Sequence, residues 1–175
     1  QQCSALLGAT EEGDFDNLSH YTLFLVLLDT GLRIHEAVGM RLASIDWHNN
    51  TIMVMGKGSK QRTVPFSSQV KIKMLDYLRQ RRLAPTDEDY FFLNSRFGKI
   101  STRMAYYHMV EYGRKAKIVG ARISPHTLRH TFASNYLTNG GDIRSLQLIL
   151  GHSNISHTMI YLDYVDCQKI ARQHD

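Results

Sequence analysis

The 175-residue chain is poor in cysteine and has no long apolar run. Its two cysteines, Cys3 and Cys167, lie near opposite ends and form no Cys-x-x-Cys pair, so a disulfide framework and a cysteine-based zinc site are both excluded. A reducing, cytoplasmic setting suits such thiols. The longest wholly apolar stretch is 23–28. A bilayer span needs about 20 residues, so no membrane association is expected. No basic segment followed by an apolar one opens the chain, so no secretory leader is expected. Acidic residues are in deficit, 16 against 21 lysines and arginines, which leaves a net charge of +5 and a pI near 9.3. This balance favours a polyanionic partner, nucleic acid above all. With 43% hydrophobic residues the chain can bury a real core, and its length fits one domain.

Periodicity predicts a mostly helical fold with one small antiparallel sheet. Leu18, Tyr21, Leu25 and Leu28 recur at helical spacing, giving a helix over 17–29 that Gly31 stops. A shorter helix is expected over 32–42. The β-branched, apolar run 51–55 reads as a strand, 56–61 as a turn and 62–66 as the returning strand. Pro65 places that strand at an edge or at its end. Ser67 or Ser68 caps a helix reaching 82, and a further helix covers 102–119. Ser124 followed by Pro125 is a strong start signal for a helix to 138. Asp142 caps the next, to 150. Two short helices, 156–164 and 166–173, are expected to close the chain.

Three clusters carry chemistry. Arg33 and Glu36 stand three apart after the Gly31 turn; alone they read as a surface ion pair. His126, Arg129 and His130 follow the Ser124 cap. There the unpaired N–H groups of a helix N-terminus welcome an anion, Arg129 can grip two phosphate oxygens, and His126 can move a proton. His126 and His130 have the spacing of some zinc helices, but Thr127 stands where H-E-x-x-H needs glutamate, so no metal is expected. His152 precedes Tyr161 by nine residues. A phenol with a pKa of about 10 is a poor nucleophile unless cations favour its anion and a base takes its proton. Arg33, Arg129 and His126 supply both. Tyr164 competes with Tyr161 for the role. The hairpin 56–62 adds a basic tip with Lys57, Lys60 and Arg62, whose glycines allow close backbone approach.

Taken in order, these segments resemble the tyrosine recombinase (phage integrase) family over nearly the whole chain. Thr30-Gly31-Leu32-Arg33-Ile34-His35-Glu36-Ala37 resembles the first arginine box, and Met55 to Pro65 the β-hairpin lysine segment. His126-Thr127-Leu128-Arg129 matches the H-x-x-R box, and Leu150-Gly151-His152 leading to Tyr161 the last one. Where the family often has a histidine two residues past the tyrosine, this chain has Asp163.

The resemblance implies the family's mainly helical catalytic-domain fold and DNA cleavage and rejoining without metal or cofactor. Arg33 and Arg129 would hold the scissile phosphate, with His152 adding a hydrogen bond. Tyr161 would form a 3′-phosphotyrosyl link, Lys57 would protonate the leaving 5′-oxygen, and His126 would act as base. Glu36 would support the site from behind. Arg33, Lys57, Lys60, Arg62 and Arg129 would contact DNA. The partner implied is double-stranded DNA, bound by four protomers on two duplexes, with a monomer expected without DNA; residues 166–175 could dock on a neighbouring protomer. Residues 1–175 would form a single catalytic domain, without the N-terminal DNA-clasping domain common in the family. Alternatives are a non-catalytic DNA-binding accessory module on the same scaffold and a type IB topoisomerase.

Overall fold

The computed structural model describes residues 2–8, 15–56, 61–118 and 123–173, with side chains for 3–8, 15–56, 61–118 and 123–166. Lys57 and Lys60 lie outside these. The helices are α1 (Gln2–Gly8), α2 (Phe15–Thr30), α3 (Ile34–Val38), α4 (Ser68–Arg81), α5 (Thr102–Lys115), α6 (Pro125–Thr138), α7 (Ile143–Leu150) and α8 (Ser156–Gln173). The strands β1 (Ile45–Asp46), β2 (Thr51–Met55) and β3 (Gln61–Pro65) form one antiparallel sheet in the order β1-β2-β3. Ile52 faces Val64 and Val54 faces Arg62 in the β2–β3 register. Pro65 ends β3, an edge strand, where its missing N–H breaks no ladder. The fold is mainly α with a small antiparallel sheet, as the sequence predicts. Among the described residues no helix is long and apolar enough to cross a membrane.

Helix α2 runs through the middle. Leu23, Phe24, Val26 and Leu27 are all fully buried, so the helix is covered on several faces at once, by α4, α5 and α6. Most of the core, including the sheet, gathers around it. A second cluster joins α6, α7 and α8 through Ala133, Leu137, Leu146, Leu150, Tyr161 and Val165. Gly31 sits at the seam between the two. Its φ of +64° suits only glycine well, and a Cβ there would fall 2.3 Å from Phe132 Cδ1.

Local signals placed most boundaries. Ser67 and Ser124 accept from Val70 N–H and Thr127 N–H, and Asp142 accepts from both Arg144 and Ser145. Three expectations are corrected. The helix expected over 102–119 ends at Lys115, because Lys117 turns left-handed (φ 52°) and Ile118 N–H bonds back to Gly113 O at 3.1 Å. That closing motif normally uses glycine, so the sequence hid it. The two closing helices are one, α8, since neither glycine nor proline interrupts 156–173. The helix expected over 32–42 shrinks to five residues: Arg33 is extended, and past Gly39 the chain bridges Arg41 to Tyr90.

Candidate active site

The site forms where the α2–α3 turn, β3, the start of α6 and the α7–α8 turn meet. Its foundation is a buried carboxylate. Glu36 is the third residue of α3, and its Oε2 accepts the Arg33 backbone N–H at 2.8 Å, capping the helix. Arg62, arriving from β3, donates Nη1 to Oε1 and Nη2 to Oε2, both at 2.8 Å. Its Nε donates to Ile149 O at 2.8 Å on α7. The sequence pointed Arg62 at DNA; the structure turns its guanidinium inward, because a buried carboxylate and a helix-end carbonyl both need donors there. Burial would raise the Glu36 pKa, but the Arg62 hydrogen bonds, the Arg33 N–H and the two guanidinium charges hold it below its ordinary value.

Gly151 caps α7 in the left-handed conformation (φ +67°), and a Cβ on it would press within 3.1 Å of the Arg62 guanidinium. His152 N–H bonds back to Gln147 O at 3.1 Å, and Gln147 Nε2 donates to His152 O at 2.9 Å. The turn that aims His152 is thus fixed on both sides.

Arg129 is only 5% exposed, drawn beneath the surface by two carbonyls. Nη1 donates to Gly31 O at 2.6 Å and Nη2 to Leu150 O at 2.7 Å. Burial and the neighbouring Arg33 lower its pKa to about 10, which leaves it charged at neutral pH. Arg33 Nη1 reaches Glu36 Oε1 at 3.3 Å and the same Leu150 O at 3.4 Å. The two guanidinium groups therefore converge on one oxygen.

His152 stands beside them. Arg129 Nη2 lies 3.1 Å from its Nε2, and its Nδ1 lies 2.9 Å from Thr158 Oγ1. A guanidinium only donates, so Nε2 accepts and Nδ1 carries the proton. Burial, then Arg129, Arg33, His157 and Arg62, depress the His152 pKa to about 4. The ring is neutral at physiological pH.

Tyr161 is 3% exposed, its ring stacked on His152 (centroids 6.5 Å, 12°) and edge-on to His130 (5.2 Å). Tyr164, 45% exposed, also meets His130 edge-on, with ring centroids 5.0 Å apart. His126 is exposed on the first turn of α6, whereas Arg129, three residues on, is buried.

Arg33, Arg62, Arg144, His152 and His157, with Glu36, line an open cleft of about 970 Å³. Gly56 and Gln61, the described ends of the hairpin, line it too. Three arginines against one carboxylate make it an anion site. Sequence reading passed over Thr158, Gln147 and Arg144. Thr158 is wholly buried on α8, and only the fold reveals its partner.

The phage integrase family profile matches residues 1–166. The chain is 39% identical over 160 residues to the tyrosine recombinase XerD of Pseudomonas aeruginosa, covering 90% of this chain and 53% of that protein. It is 38% identical over 141 residues to the tyrosine recombinase XerC of Anoxybacillus flavithermus, covering 78% and 47%. The chain thus spans about half the length of these curated relatives. Its structure is similar to the crystal structure of XerA recombinase, with a TM-score of 0.84 and 30% identity over 99% of this chain and 62% of that one. It is also similar to the catalytic domain of bacteriophage HP1 integrase, with a TM-score of 0.67 and 27% identity over 93% and 84%. With its profile matched from residue 1 to 166, this chain belongs to the phage integrase family.

Proposed function

We propose that residues 1–175 are the catalytic part of a site-specific DNA recombinase that cuts and rejoins strands through a 3′-phosphotyrosyl intermediate. The observation that carries this reading is the convergence of Arg33 and Arg129 on Leu150 O, with His152 and Tyr161 alongside. Two guanidinium groups that reach one carbonyl oxygen can hold the non-bridging oxygens of one phosphate. There they stabilise the charge that grows in the five-coordinate transition state.

Tyr161 Oη attacks phosphorus. The new O–P bond forms as the bond to the 5′-oxygen breaks, and the phenolic proton passes to His126. Lys57, adjacent in sequence to the cleft-lining Gly56, delivers a proton to the leaving 5′-oxygen. The phosphotyrosyl link conserves the phosphodiester energy, so rejoining to a new 5′-hydroxyl needs no external energy source. Because Tyr161 is 3% exposed, attack requires the N-terminal part of α8 to shift and bring the phenol to the phosphate. His152 accepts from Arg129 in this state; to donate to a phosphate oxygen its Nε2 must gain a proton, which a bound phosphate monoanion favours. Glu36 and Arg62 position this machinery and do not touch the substrate.

The partner proposed is double-stranded DNA, held by four protomers across two duplexes, each chain a monomer before DNA binds. Light scattering of the chain with and without a synaptic duplex pair tests the assembly. A non-catalytic DNA-binding module would also bury its tyrosine. A nicked suicide duplex carrying the target site separates the readings. The enzyme gives a covalent adduct that Tyr161→Phe abolishes while DNA binding survives; an accessory module gives none. Relaxation of plasmid lacking any such site would instead indicate topoisomerase activity.

A further inference from the structure

Away from the DNA-facing cleft, Asp16, His20 and His108 gather between α2 and α5, with one carboxylate oxygen and one ring nitrogen from each histidine within 4.8 Å of one another. Asp16 and His20 are four apart on α2 and so share a face. His108 crosses from α5, its ring centroid 4.1 Å from that of His20. His20 is fully buried. Its Nδ1 lies 2.7 Å from the Asp16 backbone oxygen. A carbonyl can only accept, so Nδ1 carries the proton and the lone pair is on Nε2. A backbone carbonyl fixing the far ring nitrogen is the arrangement that orients metal-binding histidines. Asp16 Oδ1 is buried and accepts no hydrogen bond among the described residues. Two imidazoles and a carboxylate are borderline ligands that suit zinc and its neighbours; magnesium and calcium prefer all-oxygen sets.

We propose that Asp16, His20 and His108 form a binding site for a zinc-class divalent ion that ties α2 to α5, with water completing a tetrahedral set. Ligand atoms around such an ion stand about 3.3 Å apart, given metal–ligand bonds of about 2 Å. Binding would require the Asp16 carboxylate and the half-buried His108 ring to rotate inward from spacings of up to 4.8 Å. The two helices already meet beside the site, where Tyr112 Oη donates to Asn17 Oδ1. The role is structural and separate from DNA cleavage: α2 ends at the Gly31 turn that carries Arg33, so the tie anchors the far end of the helix that presents the first arginine.

The test is titration of the chelator-treated chain with Co²⁺ alone, read by visible absorption, followed by Zn²⁺ displacement. The expected result is one equivalent with the intense bands of a tetrahedral site, displaced by Zn²⁺, and a melting temperature that rises with Zn²⁺. His108→Ala and Asp16→Asn, both at partly exposed positions, should each keep the far-UV spectrum and weaken binding at least 10-fold, as loss of a ligand implies. Absence of tetrahedral bands in the parent chain would overturn the proposal. So would bands of undiminished affinity in the folded His108→Ala variant.

Discussion

Replacing Arg62 with alanine isolates the ion pair under the active site. The Glu36 side chain is 2% exposed and that of Arg62 12%, so the pair is shielded from water. In Arg62→Ala, Glu36 keeps the Arg33 N–H at 2.8 Å and a long contact to Arg33 Nη1 at 3.3 Å, but loses both 2.8 Å bonds from Arg62. Breaking one side of a buried pair costs about 3–5 kcal/mol, and the remaining Arg33 contacts put this case near the lower end. Ile149 O loses its donor as well, about 1 kcal/mol more. The expected loss is about 4 kcal/mol, a large share of the 5–15 kcal/mol typical of a domain. The assay is urea unfolding at constant m-value. Glu36→Gln in the Arg62→Ala background should add far less than in the parent, because the two residues share one interaction. The pH dependence has a definite sign. Glu36 is lowered from 4.5, so its stabilisation is complete above that pH and is lost as pH falls through its folded value. Arg62→Ala should flatten that slope. A change within about 0.5 kcal/mol, typical of surface sites, would refute the buried-pair reading and return Arg62 to the DNA-facing set.

Other perturbations have equally direct outcomes. Arg129→Lys keeps the charge but cannot serve both Gly31 O and Leu150 O, so adduct formation should fall at least about 100-fold and stability by about 1–3 kcal/mol, measured by suicide-substrate cleavage and denaturant unfolding. Gly31→Ala meets both an unfavourable φ of +64° and Phe132 Cδ1 at 2.3 Å, and calorimetry should record a loss above about 2 kcal/mol. NMR of the imidazoles should find His152 neutral with its proton on Nδ1 until the pH nears about 4, where an ordinary histidine titrates at 6.5. Because its folded pKa is the lower one, His152 contributes stability above pH 6.5 that drains away as the pH falls toward 4. Thr158→Val should remove the Nδ1 partner and let the other tautomer appear.

What the sequence revealed followed range of action. The Ser124–Pro125 start and the Asp142 cap act within a few residues, and each held in the structure. The left-handed Lys117 has no such local signature, so the end of α5 stayed hidden. Helix α1 is only seven residues long, too short for its few apolar residues to announce it, and the two-residue β1 is defined by its partner Thr51–Ile52 alone. The candidate site was legible as residue types: Arg33, Glu36 and His152 line one cleft, and Arg129 and Tyr161 both touch His152. Their environments were not. Arg62 reads as a basic hairpin residue until tertiary packing sets it against Glu36, and Tyr161 as an available nucleophile until α6–α8 packing buries it. His20 and His108 stand far apart in sequence, on different helices, so no spacing rule joins them to Asp16.

In the mechanism proposed above, Tyr161 and not Tyr164 attacks the phosphate. The direct measurement is mass spectrometry of the proteolysed adduct trapped on a nicked suicide duplex. The peptide spanning both tyrosines should carry its nucleotide on Tyr161, and Tyr164→Phe should still form the adduct. A nucleotide on Tyr164, or an adduct that persists in Tyr161→Phe, would contradict it.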